Sequence, residues 1–369
     1  MRLTLVSSLD SLCRRQACDL LATSSPEAVV AFHDLLEDGV LVRRVFRPGV
    51  GPERHKRRLE HPCPSCAVRL EIVPSVRQAQ DEGVGHLILA LPEALPAAGV
   101  LQALTGGTRR GITLDAVVLA CSPSAVEDQI WDRHTLFESG YLALPQDPRT
   151  PGEFLMDELA LTGAVLLAEP DVVPVDPPAR ARGLQLLREL APHAHLTTRA
   201  AEVRRDSSCS GGSQEPGGCD AAGSPFGTVR HRLHRPLHPE RFHRALEVLA
   251  PGCCRLRGQL WMAPAPECRI LLKGAGPRVW LENTGPWPAY RDESLPAPPV
   301  MLAEGVSHGD LGQPGTVIEA TGEGLGTAEF ARLLTESQLT EAEMQSGFTG
   351  LADPFGLDDT HDTDHRRTP

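Results

Sequence analysis

Short apolar runs alternate with amphipathic stretches over roughly the first 200 residues, the pattern of a parallel sheet flanked by helices. The runs predict strands at Leu3 to Val6, Ala28 to Phe32, Val40 to Val45, His86 to Leu91, Asp115 to Ala120 and Ala164 to Ala168. Between them, Asp10 opens a helical stretch with Leu12, Ala17, Leu20 and Leu21 at helical spacing, and Arg180 to Leu190 carries Leu184, Leu186, Leu187 and Leu190. After residue 227 the rhythm changes. Thr228 to Leu233, Arg255 to Met262, Arg269 to Leu272, Val279 to Glu282 and Thr316 to Ala320 read as strands, with helices at Pro239 to Leu249 and near Ala328 to Leu334.

The fold class expected is therefore α/β for residues 1–203 and a smaller α+β domain for residues 228–347. Residues 204–227 are rich in Gly, Ser and Pro and hold too few large apolar groups to offset the entropy of ordering, so they read as a flexible linker. Residues 348–369 read as an acidic disordered tail.

Composition adds limits. A chain of 369 residues fits two domains at roughly 150 residues each. A net charge of −12 disfavours a polyanion partner unless basic groups cluster on one face. The first residues lack the continuous apolar core of a secretory signal, and no run approaches the roughly 18 residues of a membrane span. The expected location is the cytoplasm, where the 10 cysteines are reduced and a CxxC pair reads as a metal or redox candidate.

A βα-repeating domain invites a search for a phosphate-binding loop, which needs glycines for backbone approach and a lysine for the phosphates. The chain has two lysines, Lys56 and Lys273, and neither follows a glycine-rich turn. The turn after the first strand, Val6-Ser7-Ser8-Leu9-Asp10-Ser11-Leu12, contains no glycine and reads as a helix N-cap. In His61-Pro62-Cys63-Pro64-Ser65-Cys66, by contrast, two thiols bracket a tight turn before a helix whose start favours thiolates, giving half of a tetrahedral zinc site with His61 as the nearest further ligand. An isolated CxxC can also be structural. The run from Arg230 to His243 holds His231, His234, His238 and His243 among arginines, suited to zinc or an anionic partner, although strand alternation places His231 and His234 on opposite faces. No GxSxG, HExxH or GxGxxG motif is present.

These motifs in this order resemble the CobW family of metal-trafficking GTPases. Cys63-Pro64-Ser65-Cys66-Ala67-Val68-Arg69 is similar to the family's CxCC followed by T-V-R, with Ser65 in the middle position. Arg235 to Phe242 resembles its R-R-P-F-H-P-E-R segment. Arg257 to Ala263 resembles its R-x-K-G-x-x-W-L-A strand, Gly285-Pro286-Trp287 its G-x-W turn, and Leu339 to Met344 its L-L-T-D-E-E-M helix. The resemblance implies a P-loop-NTPase-like first domain, a CobW C-terminal domain, zinc as the metal and GTP as the nucleotide. The family's G-F-L-G-A-G-K-T-T is absent, however, and only Asp171 of its guanine-reading N-K-x-D remains, in Ala168-Glu169-Pro170-Asp171. The E-x-x-G region reads Leu91-Pro92-Glu93-Ala94. With CxSC and Asp353-Pro354-Phe355-Gly356, the chain is most similar to an actinobacterial branch without the P-loop. That branch includes a factor that recruits a hibernation protein to ribosomes in zinc starvation. The resemblance thus implies an adaptor that contacts a ribosome or hibernation factor through the second domain or the basic run Arg54 to Arg58. A metallochaperone passing zinc from Cys63 and Cys66 to a client, driven by GTP hydrolysis, is the alternative. Cys63, Cys66 and His61 are the expected metal ligands and Asp171 the expected nucleotide contact.

Overall fold

Strands buried on both faces need uninterrupted apolar sequence, and the centre of the first sheet is built from such runs. β1 (Arg2–Ser7), β2 (Val29–Leu35), β5 (His86–Ala90), β6 (Thr113–Cys121), β7 (Ala164–Leu167) and β8 (His195–Thr197) lie parallel. At one edge β3 (Val40–Phe46) and β4 (Glu53–Arg58) turn antiparallel, giving the order β4-β3-β2-β5-β1-β6-β7-β8. This is the architecture of the first of two compact units, Met1–Gly211 and Gly212–Pro369. The computed structural model describes residues 1–105, 111–172, 174–203, 224–290, 313–348 and 350–357.

The expected strands are all present, but β4 and β8 carry no apolar alternation that would have announced them. Every residue of β4 after Glu53 is exposed, so Arg54 to Arg58 form an edge strand with no buried face. Helices cover the sheet: α1 (Ser11–Ser24), α2 (Pro64–Ala67), α3 (Val73–Asp81), α4 (Ala97–Thr105), α5 (Pro123–Trp131), α6 (Pro151–Leu161) and α7 (Pro177–Leu190). The buried stripe of α1 is Cys13, Arg14, Ala17, Cys18 and Leu21, rotated from the expected one, with Leu12 exposed. α7 crosses α5 so closely that a Cβ on Gly183 would lie 1.9 Å from the Pro123 carbonyl oxygen, which admits only glycine there.

The second unit is an antiparallel sheet in the order β12-β11-β10-β13-β9. Its strands are β9 (Phe226–Leu233), β10 (Cys253–Leu260), β11 (Cys268–Ala275), β12 (Arg278–Pro286) and β13 (Thr316–Glu323). Against it pack α8 (Pro239–Leu249) and α9 (Thr327–Glu336), followed by α10 (Glu341–Ser346). Phe242, Leu249, Phe330 and Leu334 from the helices meet Leu256, Leu260, Ile270, Leu272 and Ile318 from the sheet in one core. Most of the expected linker (204–223) and the tail from 358 lie outside the described residues.

The segment Arg235 to Phe242 is spent on holding this unit together. The Leu237 N–H donates to the Trp261 carbonyl (2.8 Å), the His238 N–H to that of Ser337 (2.8 Å), and the Leu339 N–H to that of Pro236 (2.9 Å). Arg241 forks onto Glu343 at 3.1 and 2.7 Å, holding that carboxyl down at about 2. Of the four histidines, His238 is tied into this scaffold through its backbone, and His234 is exposed. The Asp353-Pro354-Phe355-Gly356 run is likewise structural. Asp353 accepts from the Phe355 N–H at 3.1 Å and from the Leu357 N–H, while the Phe355 ring packs on Phe242 and His243 at 6.1 and 5.4 Å between centroids.

Candidate metal centre

In a sheet of this kind ligands bind beyond the carboxyl ends of the parallel strands. There the chain has filled its own crevice. The turn from β1 to α1 is only Ser8, Leu9 and Asp10, and Asp10 caps the helix by accepting from the Cys13 N–H at 2.7 Å. A carboxylate thus sits where the helix dipole would otherwise attract a phosphate. Ser8 Oγ donates to the Ala120 carbonyl at 2.7 Å, and the Ala94 N–H to the Ser8 carbonyl at 3.0 Å, so the buried segment 91–95 closes over the turn. Ala94 adopts φ 55, a conformation costly for a residue with a Cβ.

Arg14, buried in the α1 stripe, occupies what remains. Its guanidinium donates to the carbonyls of His33 (2.9 Å) and Leu91 (2.6 Å) and pairs with Asp34 (2.6 Å) and Glu93 (2.8 Å). Arg44 adds a second cation to Asp34 at 2.8 Å, and both guanidiniums stack toward the Phe32 ring. Burial raises the Glu93 carboxyl despite Arg14. Sequence reasoning missed this network, although an arginine at the 14, 17, 18, 21 spacing of an apolar stripe was a readable signal. Asp171 lies exposed in the turn after β7, where neighbouring Glu169 pairs with Arg180 of α7.

The thiol pair is built differently. Cys63 is the N-cap of α2, its Sγ accepting from the Cys66 N–H at 3.3 Å, and Pro64 supplies the first helical position. This brings the two partly exposed sulfurs to one point. A hydrogen bond with Cys63 raises the Cys66 thiol, the reverse of the thiolate-favouring effect expected of a helix start.

Two contacts hold the turn. Gly39, at φ +69, lets Pro62 approach so closely that a Cβ there would lie 2.9 Å from Pro62 Cβ. Farther along, α2 runs through a π turn (Val68–Ile72) into α3, where Pro74 has no N–H for the Leu70 carbonyl. Arg57 of β4 donates to that carbonyl at 2.7 Å and pairs with Glu71 at 3.5 Å. His61 is exposed, and its carbonyl accepts from the Cys63 N–H at 2.9 Å. Among the described residues no three His, Cys, Asp or Glu side chains gather into a metal-binding group, so the structure brings together Cys63 and Cys66 and does not add His61 to them.

Two thiols in a tetrahedral ion's sphere leave two positions open for other donors. Fold and site together define an α/β protein with a dithiol candidate for zinc and a β1–α1 turn closed over by its own residues.

Comparison with known proteins sharpens that class. Residues 226–337 match the model of the cobalamin synthesis protein CobW C-terminal domain. The chain is 25% identical over 339 residues to the zinc chaperone Rv0106 of Mycobacterium tuberculosis, covering 82% of this chain and 79% of that protein. An uncharacterized protein of Mycobacterium bovis, Mb0109, is similar to the same extent. Among solved structures, the Zn(II)-bound YjiA GTPase from E. coli is 13% identical with a TM-score of 0.33, covering 92% of this chain and 99% of that one. A Zn(II)-bound triple mutant of YjiA gives 12% and 0.32 with the same coverage. The chain carries a CobW C-terminal domain, and its likeness to a zinc chaperone over most of its length supports the CobW family. Among the described residues no helix is long and apolar enough to cross a membrane.

Proposed function

We propose that this protein binds zinc as cargo through Cys63 and Cys66 and passes it to a client protein whose own ligands complete the tetrahedron. The observation that carries the reading is the pairing of two partly exposed sulfurs across one helix cap, with no third ligand from the described part of the chain. Both thiols must shed their protons to bind the ion, so affinity rises with pH and binding releases acid. GTP hydrolysis of the P-loop type is not part of this reading, because the turn after β1 has no glycine and no lysine and Asp10 caps α1 there; Asp171 alone would remain of the guanine contacts. The test is zinc stoichiometry and affinity by competition with a chromophoric chelator. Tight binding by the native chain, lost in Cys63→Ser/Cys66→Ser and retained in His61→Ala, is expected. Unchanged zinc content in the double variant would overturn the proposal.

A second reading places the chain in the P-loop-less actinobacterial branch, as an adaptor that brings a hibernation factor to ribosomes. One observation favours it: the exposed cations of β4. Sedimentation with ribosomal particles only from zinc-starved lysates is its expected signature, and free sedimentation in both conditions would end it.

A further inference from the structure

The edge strand β4 carries four Arg or Lys residues in five positions within a chain of net charge −12, and its geometry sorts them. The Leu59 N–H donates to the Gly39 carbonyl at 2.9 Å, which makes 59 and 39 a hydrogen-bonded pair of the antiparallel ladder. By the alternation of such ladders, Arg57, His55 and Glu53 also point their backbone groups inward to Leu41, Arg43 and Val45. The Leu36 N–H to Val40 carbonyl bond, at 2.8 Å, fixes the same parity on the other side of β3. Arg54, Lys56 and Arg58 therefore turn their N–H and C=O groups outward, along the free edge of the sheet.

The same three residues share one face, at alternate positions about 7 Å apart. Among the described residues none of them has an ion pair or hydrogen bond, whereas Arg57 on the opposite face is engaged by Leu70 and Glu71. An ordinary reason for cations on an edge strand is to stop two copies from pairing. That repulsion acts only on like-charged strands, and it leaves the edge open to an acidic one.

We propose that β4 is the docking edge for an extended acidic segment of a partner protein, which adds to the sheet as a ninth strand and sets alternate carboxylates against Arg54, Lys56 and Arg58. A peptide is favoured over RNA because the open edge offers acceptors as well as donors, and a phosphate backbone satisfies only the donors. The chain leaves β4 at Arg58 and reaches Cys63 within five residues, so on the zinc-transfer reading above the segment would hold the client beside the thiols.

The test uses the full chain, a labelled peptide alternating Glu and Thr, its Lys/Thr counterpart, and poly(U). The Glu/Thr peptide is expected to bind, to slow amide exchange at Arg54, Lys56 and Arg58, and to weaken with salt. Arg54→Glu/Lys56→Glu/Arg58→Glu should weaken it at least about tenfold and transfer preference to the Lys/Thr peptide. Lys56→Pro, which removes an outward donor at a position where an edge strand tolerates proline, should weaken it more than Lys56→Thr. Equal losses in those two variants, no binding at low salt, or tighter binding of poly(U) would each overturn the inference. Repeating the titration with Cys63→Ser/Cys66→Ser separates the two readings: docking should persist there, and zinc binding by the native chain stands or falls without reference to the peptide.

Discussion

Two helices of the first unit begin with the same device and put it to opposite use. At α1 the N-cap Asp10 accepts from the Cys13 N–H; at α2 the N-cap Cys63 accepts from the Cys66 N–H. The first cap is a carboxyl oxygen in a turn over which Ala94 closes, its N–H donating to the Ser8 carbonyl at 3.0 Å, so the helix start is occupied by the chain itself. The second is a weak, partly exposed sulfur acceptor that gives up little when a metal replaces its hydrogen bond. What makes a helix start a binding site is how easily its own cap yields to a ligand, and by that measure the β4–α2 turn is the more open of the two.

The largest test of the occupied side concerns Glu158 of α6, which accepts from the Ser7 hydroxyl and from the Ala97 N–H at 2.9 Å behind the β1–α1 turn. Burial raises its carboxyl to about 7 from 4.5. The folded state thus holds a proton that the unfolded chain releases, so this contribution to stability is complete below 4.5 and is lost as pH rises through 7. Wild type is expected to lose on the order of 3 kcal/mol across that window, and Glu158→Gln to flatten the slope, read by chemical denaturation at stepped pH. An equal slope in the variant would mean that Glu158 is less tightly enclosed behind the first turn than its contacts with Ser7 and Ala97 require.

On the open side, Gly39→Ala tests whether the thiol turn is held from below. A Cβ at φ +69, 2.9 Å from Pro62 Cβ, must displace Pro62 or the hairpin. A loss of about 1 to 2 kcal/mol in stability, with weaker zinc binding, is expected. A stability loss without any change in zinc affinity would uncouple the thiols from that contact. Asp10→Ala comes next, at about 1 kcal/mol for a lost cap. It should gain no affinity for a fluorescent GTP analogue, since the three-residue turn and the Ser8 contacts remain; a gain would show that the cap alone excludes phosphate.

How much of this could be read from the chain follows from what each feature depends on. α8 was legible at both ends because Pro239 starts it and its apolar stripe is strong, and the central strands because burial on both faces leaves only apolar residues. β4 was illegible because an edge strand with no buried side has no hydrophobic period. The thiol pair was legible from spacing alone, while the Pro62–Gly39 contact needs β3 and the α2 turn brought together in space. His61 illustrates the converse: proximity in sequence makes it a candidate ligand, and the structure places it exposed in the turn before Cys63. Arg14 was overlooked because Leu12 and Leu20 drew the stripe to the wrong side of α1, where burial follows the smaller Cys and Ala residues.

The smallest expected effect is the most telling for the comparison. Cys63→Ala removes the α2 cap, yet sulfur is a weak acceptor and the site is partly exposed, so stability should stay within about 0.5 kcal/mol of wild type. Set beside Asp10→Ala, the two substitutions remove the same kind of contact from the same kind of position. If the carboxylate cap carries fold stability and the thiol cap carries zinc binding, melting and metal titration will separate cleanly, each moving in one variant and not in the other. If Cys63→Ala instead costs as much stability as Asp10→Ala, the thiol is a structural cap like the carboxylate, and a metal arriving at the β4–α2 turn would have to displace a contact the fold requires.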